Sequence, residues 1–208
     1  MTTTTFQLAA PAGELEVLTE TPANLSNNLT MIICHPHPLF GGTMHNKVVT
    51  TLAKVANELD IPSVRFNFRG VGKSTGQYDD GVGEIDDLQT IIAWVKQTRA
   101  DTRLWLAGFS FGSYVAAEVA TTGIAERLIS VAPPATRWHF QEIKTMPCPW
   151  LVVQGDADEV VEPEAVFAWF AAQHPQAEMI RMHNASHFFH GRLIELREIL
   201  VNKLKCTI

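Results

Sequence analysis

The chain has few cysteines, no run of like charge and no long apolar segment, and each shortage removes a class of protein. Its three cysteines, Cys34, Cys148 and Cys206, lie far apart and form no CxxC pair. An odd, dispersed set reads as free thiols in a reducing compartment rather than a disulfide framework. Lys and Arg number 16 against 22 Asp and Glu, a formal net charge of −6. The basic residues are scattered singly, so the concentrated positive charge that phosphate backbones demand is missing, and no nucleic-acid partner is expected. No apolar stretch approaches the roughly 20 residues that span a bilayer. Residues 1–6 (MTTTTF) show neither the basic nor the apolar region of a secretory signal. A cytoplasmic location without a membrane partner is therefore expected.

What is present is enough for a core. Hydrophobic residues make up 46% and charged residues 18% of the 208 positions, the balance of an ordinary globular chain. No repeat, low-complexity segment or Pro/Ser-rich linker divides it, so one domain over residues 1–208 is expected. Two alternating runs at 6–9 and 14–19, with Pro11-Ala12-Gly13 between them, predict an antiparallel hairpin. Then the pattern changes. The run LTMIIC at 29–34 is apolar throughout, as in a strand buried on both faces. Residues 46–59 carry Val48, Val49, Leu52, Val55, Ala56 and Leu59 at helical spacing. Strands are predicted at 62–68, 104–109, 128–132, 150–154 and 177–182. They alternate with helices at 84–98, 111–121, 163–174 and 188–205. This alternation implies right-handed βαβ units and a mainly parallel sheet flanked by helices.

Within that frame one pentapeptide carries chemistry. Gly108-Phe109-Ser110-Phe111-Gly112 stands between a buried strand and a helix, the setting in which G-x-S-x-G forms a tight turn that thrusts the serine oxygen outward. Glycine two residues either side leaves room for neighbouring backbone. The Phe111 N–H, on the first turn of the helix, faces where an oxyanion would form. A cap serine in an ordinary strand-to-helix turn is the plain alternative. A serine hydroxyl needs a base, and the base needs an orienting carboxylate. Acids follow the strand at 150–154 as Gly155-Asp156-Ala157-Asp158-Glu159, and histidines surround the end of the last strand in His183-Asn184-Ala185-Ser186-His187 and at His190. Asp156 has an alternative role as a turn residue, and His183 as a polar strand tip.

Taken together, His35-Pro36-His37-Pro38-Leu39-Phe40-Gly41-Gly42, Phe68-Arg69-Gly70-Val71-Gly72-Lys73-Ser74, the serine pentapeptide, Gly155-Asp156-Ala157-Asp158 and Ala185-Ser186-His187 resemble the α/β-hydrolase superfamily over nearly the whole chain. They look most like its small, capless bacterial serine hydrolases. The resemblance implies an α/β-hydrolase fold with a mainly parallel central sheet, an N-terminal antiparallel hairpin and no cap domain. It implies Ser110 as nucleophile, Asp158 (fourth in G-x-x-D-x-x-V) as acid ahead of Asp156 and Glu159, and His187 as base ahead of His183 and His190. A second oxyanion donor is implied in the loop after the third strand. Pro36 and Pro38 have no N–H; the family position falls on His37, and a longer loop path would use Leu39.

Two other chemistries are disfavoured. His35 and His37 lack a third metal ligand, and their proline-bracketed loop gives no reason for convergence. Gly70-Val71-Gly72-Lys73-Ser74 imitates the end of a P-loop, but Asn67 occupies the position of its first glycine. No metal or organic cofactor is expected, and the loop is expected simply to lie near the site. The expected reaction is hydrolysis of a small carboxylic ester through an acyl-enzyme, with a small-molecule acyl substrate as partner. A thioesterase, a peptidase or a non-catalytic scaffold are the alternatives, and the oligomeric state is left open. Residues 135–149 hold at most one short helix where related chains insert a cap, so an open site is expected. Phe40, Phe109, Phe111, Trp138 and Phe140 are candidates for its lining, with core packing the better expectation for Phe109.

Overall fold

The computed structural model describes residues 1–25 and 27–208. The strands are β1 (Thr2–Ala10), β2 (Gly13–Thr21), β3 (Leu29–Cys34), β4 (Ser63–Phe66), β5 (Arg103–Phe109), β6 (Arg127–Val131), β7 (Trp150–Gly155) and β8 (Glu178–Met182). They form one sheet in the order β1-β2-β4-β3-β5-β6-β7-β8. β1, β2 and β4 pair antiparallel; every pair from β4–β3 to β7–β8 is parallel. The helices are α1 (Lys47–Glu58), α2 (Val82–Thr98), α3 (Phe111–Ala120), α4 (Pro163–Gln173) and α5 (Leu193–Lys205).

The unbroken apolar strands follow from burial on both faces. On β3, Leu29, Met31 and Ile33 join the core with Val49 and Leu52 of α1 and Leu196 and Leu200 of α5. Ile32 and Cys34 point the other way, into the core with Leu88 of α2, Val115 of α3 and Val166 of α4. The same division holds along β5 and β7. At the parallel strands' C-terminal edge the backbone leaves the sheet, and all the motif segments converge there.

Several predicted boundaries shift for local reasons. The hairpin is longer than the predicted runs because the threonines of β1 extend the ladder to Thr2↔Thr21. β4 is shorter than 62–68: Phe68 leaves the ladder and its N–H donates to the His35 ring at 3.0 Å. α2 starts two residues early, because the Glu84 carboxylate accepts the Gly81 N–H at 2.8 Å and caps it. The predicted helix at 188–205 loses its first turn. Phe189 (φ 52°) and Gly191 (φ 73°) adopt left-handed backbone that a helix cannot continue, so His190 lies in a turn and not three residues inside a helix.

Candidate active site

Ser110 follows β5 and caps α3, with φ 51° and ψ −122°. For a non-glycine residue this conformation costs about 1–3 kcal/mol and persists only when its surroundings enforce it. Both flanking glycines are needed. A Cβ on Gly108 would lie 2.2 Å from the Gly112 carbonyl oxygen, and one on Gly112 would lie 2.4 Å from that of His35. The turn therefore presses the start of α3 against the end of β3.

Three side chains from three loops meet here. His187 Nε2 lies 3.1 Å from Ser110 Oγ, and His187 Nδ1 lies 2.8 Å from Asp158 Oδ2. The acid and imidazole side chains are buried. Asp158 Oδ1 accepts the Val160 and Val161 N–H groups, both at 2.8 Å. Burial pushes the Asp158 carboxyl up, but His187 and these two amides outweigh it and hold the group below its ordinary range. An ionised Asp158 accepts the Nδ1–H, which leaves Nε2 free to take a proton from Ser110.

The rival residues have other work. Asp156 Oδ1 accepts the Asn184 N–H at 2.7 Å and Oδ2 pairs with His183 Nδ1 at 2.8 Å, which ties the acid loop to the loop carrying His187. A Cβ on Gly155 would lie 2.2 Å from the Ala185 carbonyl oxygen, so the two loops touch. Glu159 accepts the backbone N–H of His187 at 3.1 Å. It holds the base's main chain and is a neighbour of the triad that sequence reasoning weighed only as an acid. His190 is exposed and remote from Ser110 in hydrogen bonding.

The loop after β3 is held from beneath by His35. Its Nδ1–H donates to the Pro36 carbonyl at 2.6 Å and its Nε2 accepts the Phe68 N–H. Burial lowers its pKa from 6.5 to about 4, against a smaller opposing effect of the Pro36 bond, so the ring is neutral. With both nitrogens engaged, His35 has no lone pair for a metal. Among the described residues no group of three or more His, Cys, Asp and Glu side chains is placed to hold one. The His37 carbonyl accepts the Phe40 and Gly42 N–H groups. The Leu39 N–H donates to His37 Nδ1 at 3.2 Å, so it is not free for a ligand, and the Leu39 side chain points to solvent. Among the described residues, the His37 and Phe111 N–H groups have no acceptor.

Ser110, His187 and His37 border a cavity of about 480 Å³ whose walls include Phe40, Trp138, Val160, Phe188, Asn46 and Arg137. Phe40 and Trp138 line it as anticipated, whereas Phe109, Phe111 and Phe140 are fully buried. Val160, Phe188, Asn46 and Arg137 escaped the sequence reading; only proximity of Val160 and Phe188 to the motifs signalled them. Between β6 and β7 the chain forms one 3₁₀ turn, Phe140–Glu142, and no lid. The Gly70–Ser74 loop is not part of the cavity wall. It braces β2, with Glu16 accepting the Lys73 N–H at 3.0 Å and Ser74 Oγ donating to the Asn67 carbonyl at 2.7 Å. Among the described residues no helix is long and apolar enough to cross a membrane.

Comparison with known proteins agrees with this architecture. Residues 29–197 match the family model described as an alpha/beta hydrolase domain. A structure described as an alpha-beta serine hydrolase homologue from Coxiella burnetii is 53% identical, with a TM-score of 0.95 over 98% of both chains. One from Xanthomonas campestris, described as an a/b serine hydrolase without lid, is 45% identical, with a TM-score of 0.92 over 98% of this chain and 94% of that one. An uncharacterised protein of Rickettsia prowazekii is 31% identical over 81% of this chain and 75% of its own length. A family match across most of the sheet, the strained serine turn and the missing lid lead to one conclusion: the chain belongs to the α/β-hydrolase family, in its capless form.

Proposed function

We propose that the protein is a serine hydrolase that cleaves small carboxylic esters through an acyl-enzyme on Ser110. The observation that carries this reading is the continuous hydrogen-bonded chain Ser110–His187–Asp158, set beside two N–H groups that have no acceptor among the described residues. His187 Nε2 removes the Ser110 proton as Oγ attacks the ester carbonyl. The Phe111 and His37 N–H groups hold the resulting oxyanion, with the N-terminus of α3 favouring its charge. Asp158 fixes the imidazole tautomer and stabilises the imidazolium. The imidazolium then returns the proton to the departing alcohol, and water hydrolyses the acyl-enzyme along the same proton path. Leu39 has no part in this scheme, since its N–H is spent on His37. The apolar, lidless cavity suits a short acyl group.

The test is fluorophosphonate labelling together with a panel of nitrophenyl esters of increasing acyl length. Labelling is expected at Ser110, with faster turnover of short than long acyl chains, and Ser110→Ala is expected to lose both. Absence of labelling in the folded protein would refute the reading and favour a scaffold that binds a partner without catalysis.

A further inference from the structure

Beneath the triad lies a buried polar side chain that the mechanism does not use. Gln154 is fully buried at the end of β7. Side chains alternate along a strand, so Gln154 shares its face with Trp150 and Val152, which are core residues packed against α4 and its neighbours. An apolar residue would be expected there. Instead the Gln154 amide donates to Asp158 Oδ2 at 2.9 Å and to the Gly155 carbonyl at 3.1 Å. Its own Oε1 is buried and has no hydrogen-bond partner among the described residues. A strand-end side chain that served packing alone would not leave a buried carbonyl without a partner in the protein. Turning the amide over would aim its oxygen at both Asp158 Oδ2 and the Gly155 carbonyl, which electrostatics forbids.

We propose that Gln154 is a positioning residue: it completes the donor set of Asp158, keeps that carboxylate ionised and aimed at His187, and so sets the pH at which Ser110 becomes nucleophilic. This rests on the serine-hydrolase reading for its catalytic consequence. With Gln154 in place Asp158 accepts four N–H groups, from Val160, Val161, His187 and Gln154. Two of them share Oδ2. Each donor draws charge from that oxygen, so Gln154 tempers how strongly Asp158 holds the Nδ1–H of His187. Removing it makes Oδ2 more basic and the imidazolium more favoured, and the acid limb of activity moves to higher pH. The other charged groups near the pair do not substitute for it. Glu159, Glu162 and Arg137 line a shallow hollow with Asp158 on its outer side. Glu159 is committed to the His187 main chain. Across the cavity stands His37, whose pKa burial lowers, and Asp156 is paired with His183. Among the described residues, Gln154 is the one donor to Oδ2 besides His187.

The test uses the intact chain with Gln154→Met and Gln154→Glu, each close to Gln in volume, with folding followed by Tm. In the Met variant the acid limb of kcat/KM is expected to rise by about half a pH unit, with a plateau kcat lower by about tenfold. In the same variant the low-field proton resonance of His187 Nδ1–H is expected to move further downfield. A Glu at 154 shares a proton with Asp158 at low pH, donating its O–H in place of the amide, and repels it once ionised. That variant is therefore expected to keep activity on the acid side and lose it as pH rises. The proposal is overturned by an unmoved limb and proton resonance in the Met variant. It is equally overturned by a Glu variant that parallels wild type or is inactive at every pH. If the Nδ1–H resonance responds but the wild-type protein is not labelled at Ser110, the hydrolase reading fails and the positioning of Asp158 stands.

Discussion

Acidification from pH 7 to pH 5 should weaken the fold through one histidine outside the triad. His35 is wholly buried, its Nδ1–H is given to Pro36 and its Nε2 receives the Phe68 N–H. Its pKa falls from 6.5 to about 4 on folding. Between those two values the unfolded chain binds a proton that the folded chain refuses, so stability is complete above 6.5 and declines as pH falls toward 4. Each pH unit crossed below 6.5 removes about 1.4 kcal/mol, so the loss between pH 7 and pH 5 is about 2 kcal/mol. For a domain of this size it corresponds to a Tm lower by about 4–8 °C. Chemical denaturation at a series of pH values measures it directly, and His35→Gln serves as the control. That variant will be less stable at pH 7, and its loss of stability between pH 7 and pH 5 should be smaller than that of wild type by the same amount, about 2 kcal/mol. Parallel slopes would refute the reasoning. The window lies above the ordinary range of carboxylates, so Asp158, held lower still, does not contribute to it. Because His35 fastens the loop that presents the His37 N–H, esterase activity should disappear with, or slightly ahead of, the global transition.

Two further predictions concern the site. Gly112→Ala places a methyl carbon 2.4 Å from the His35 carbonyl oxygen, so it should cost about 1–3 kcal/mol in denaturant unfolding and displace Ser110 enough to remove most activity; a variant of wild-type stability and rate would contradict the turn geometry. Arg137 is the one Lys or Arg on the cavity wall and has no carboxylate partner among the described residues. Esters with a carboxylate at the end of the acyl chain should lose about fivefold in kcat/KM in Arg137→Gln while neutral esters of equal length do not, with the difference shrinking at high salt.

The sequence alone determined the alternation of strands and helices, because burial on both faces leaves an unbroken apolar run such as LTMIIC that no partly exposed strand would keep. It also placed the serine turn, since only glycine fits at 108 and 112 once strand and helix must meet there. Its motifs pointed to Asp158 and His187. Other features depended on the assembled fold. Asp156, Asp158 and Glu159 are chemically near-equivalent in sequence and differ only in which way a loop turns them: one toward Asn184, one toward the imidazole ring, one toward the His187 main chain. The engagement of the Leu39 N–H arises from a side chain folding back two residues, which no spacing reveals. Phe189 and Gly191 unwound a helix that apolar periodicity had extended through them, because periodicity reports burial and not backbone sign. Gln154 was legible in principle as a polar residue on the inward phase of a core strand. Only the tertiary structure decided its role, because the carboxylate it serves returns to it from the loop beyond the strand.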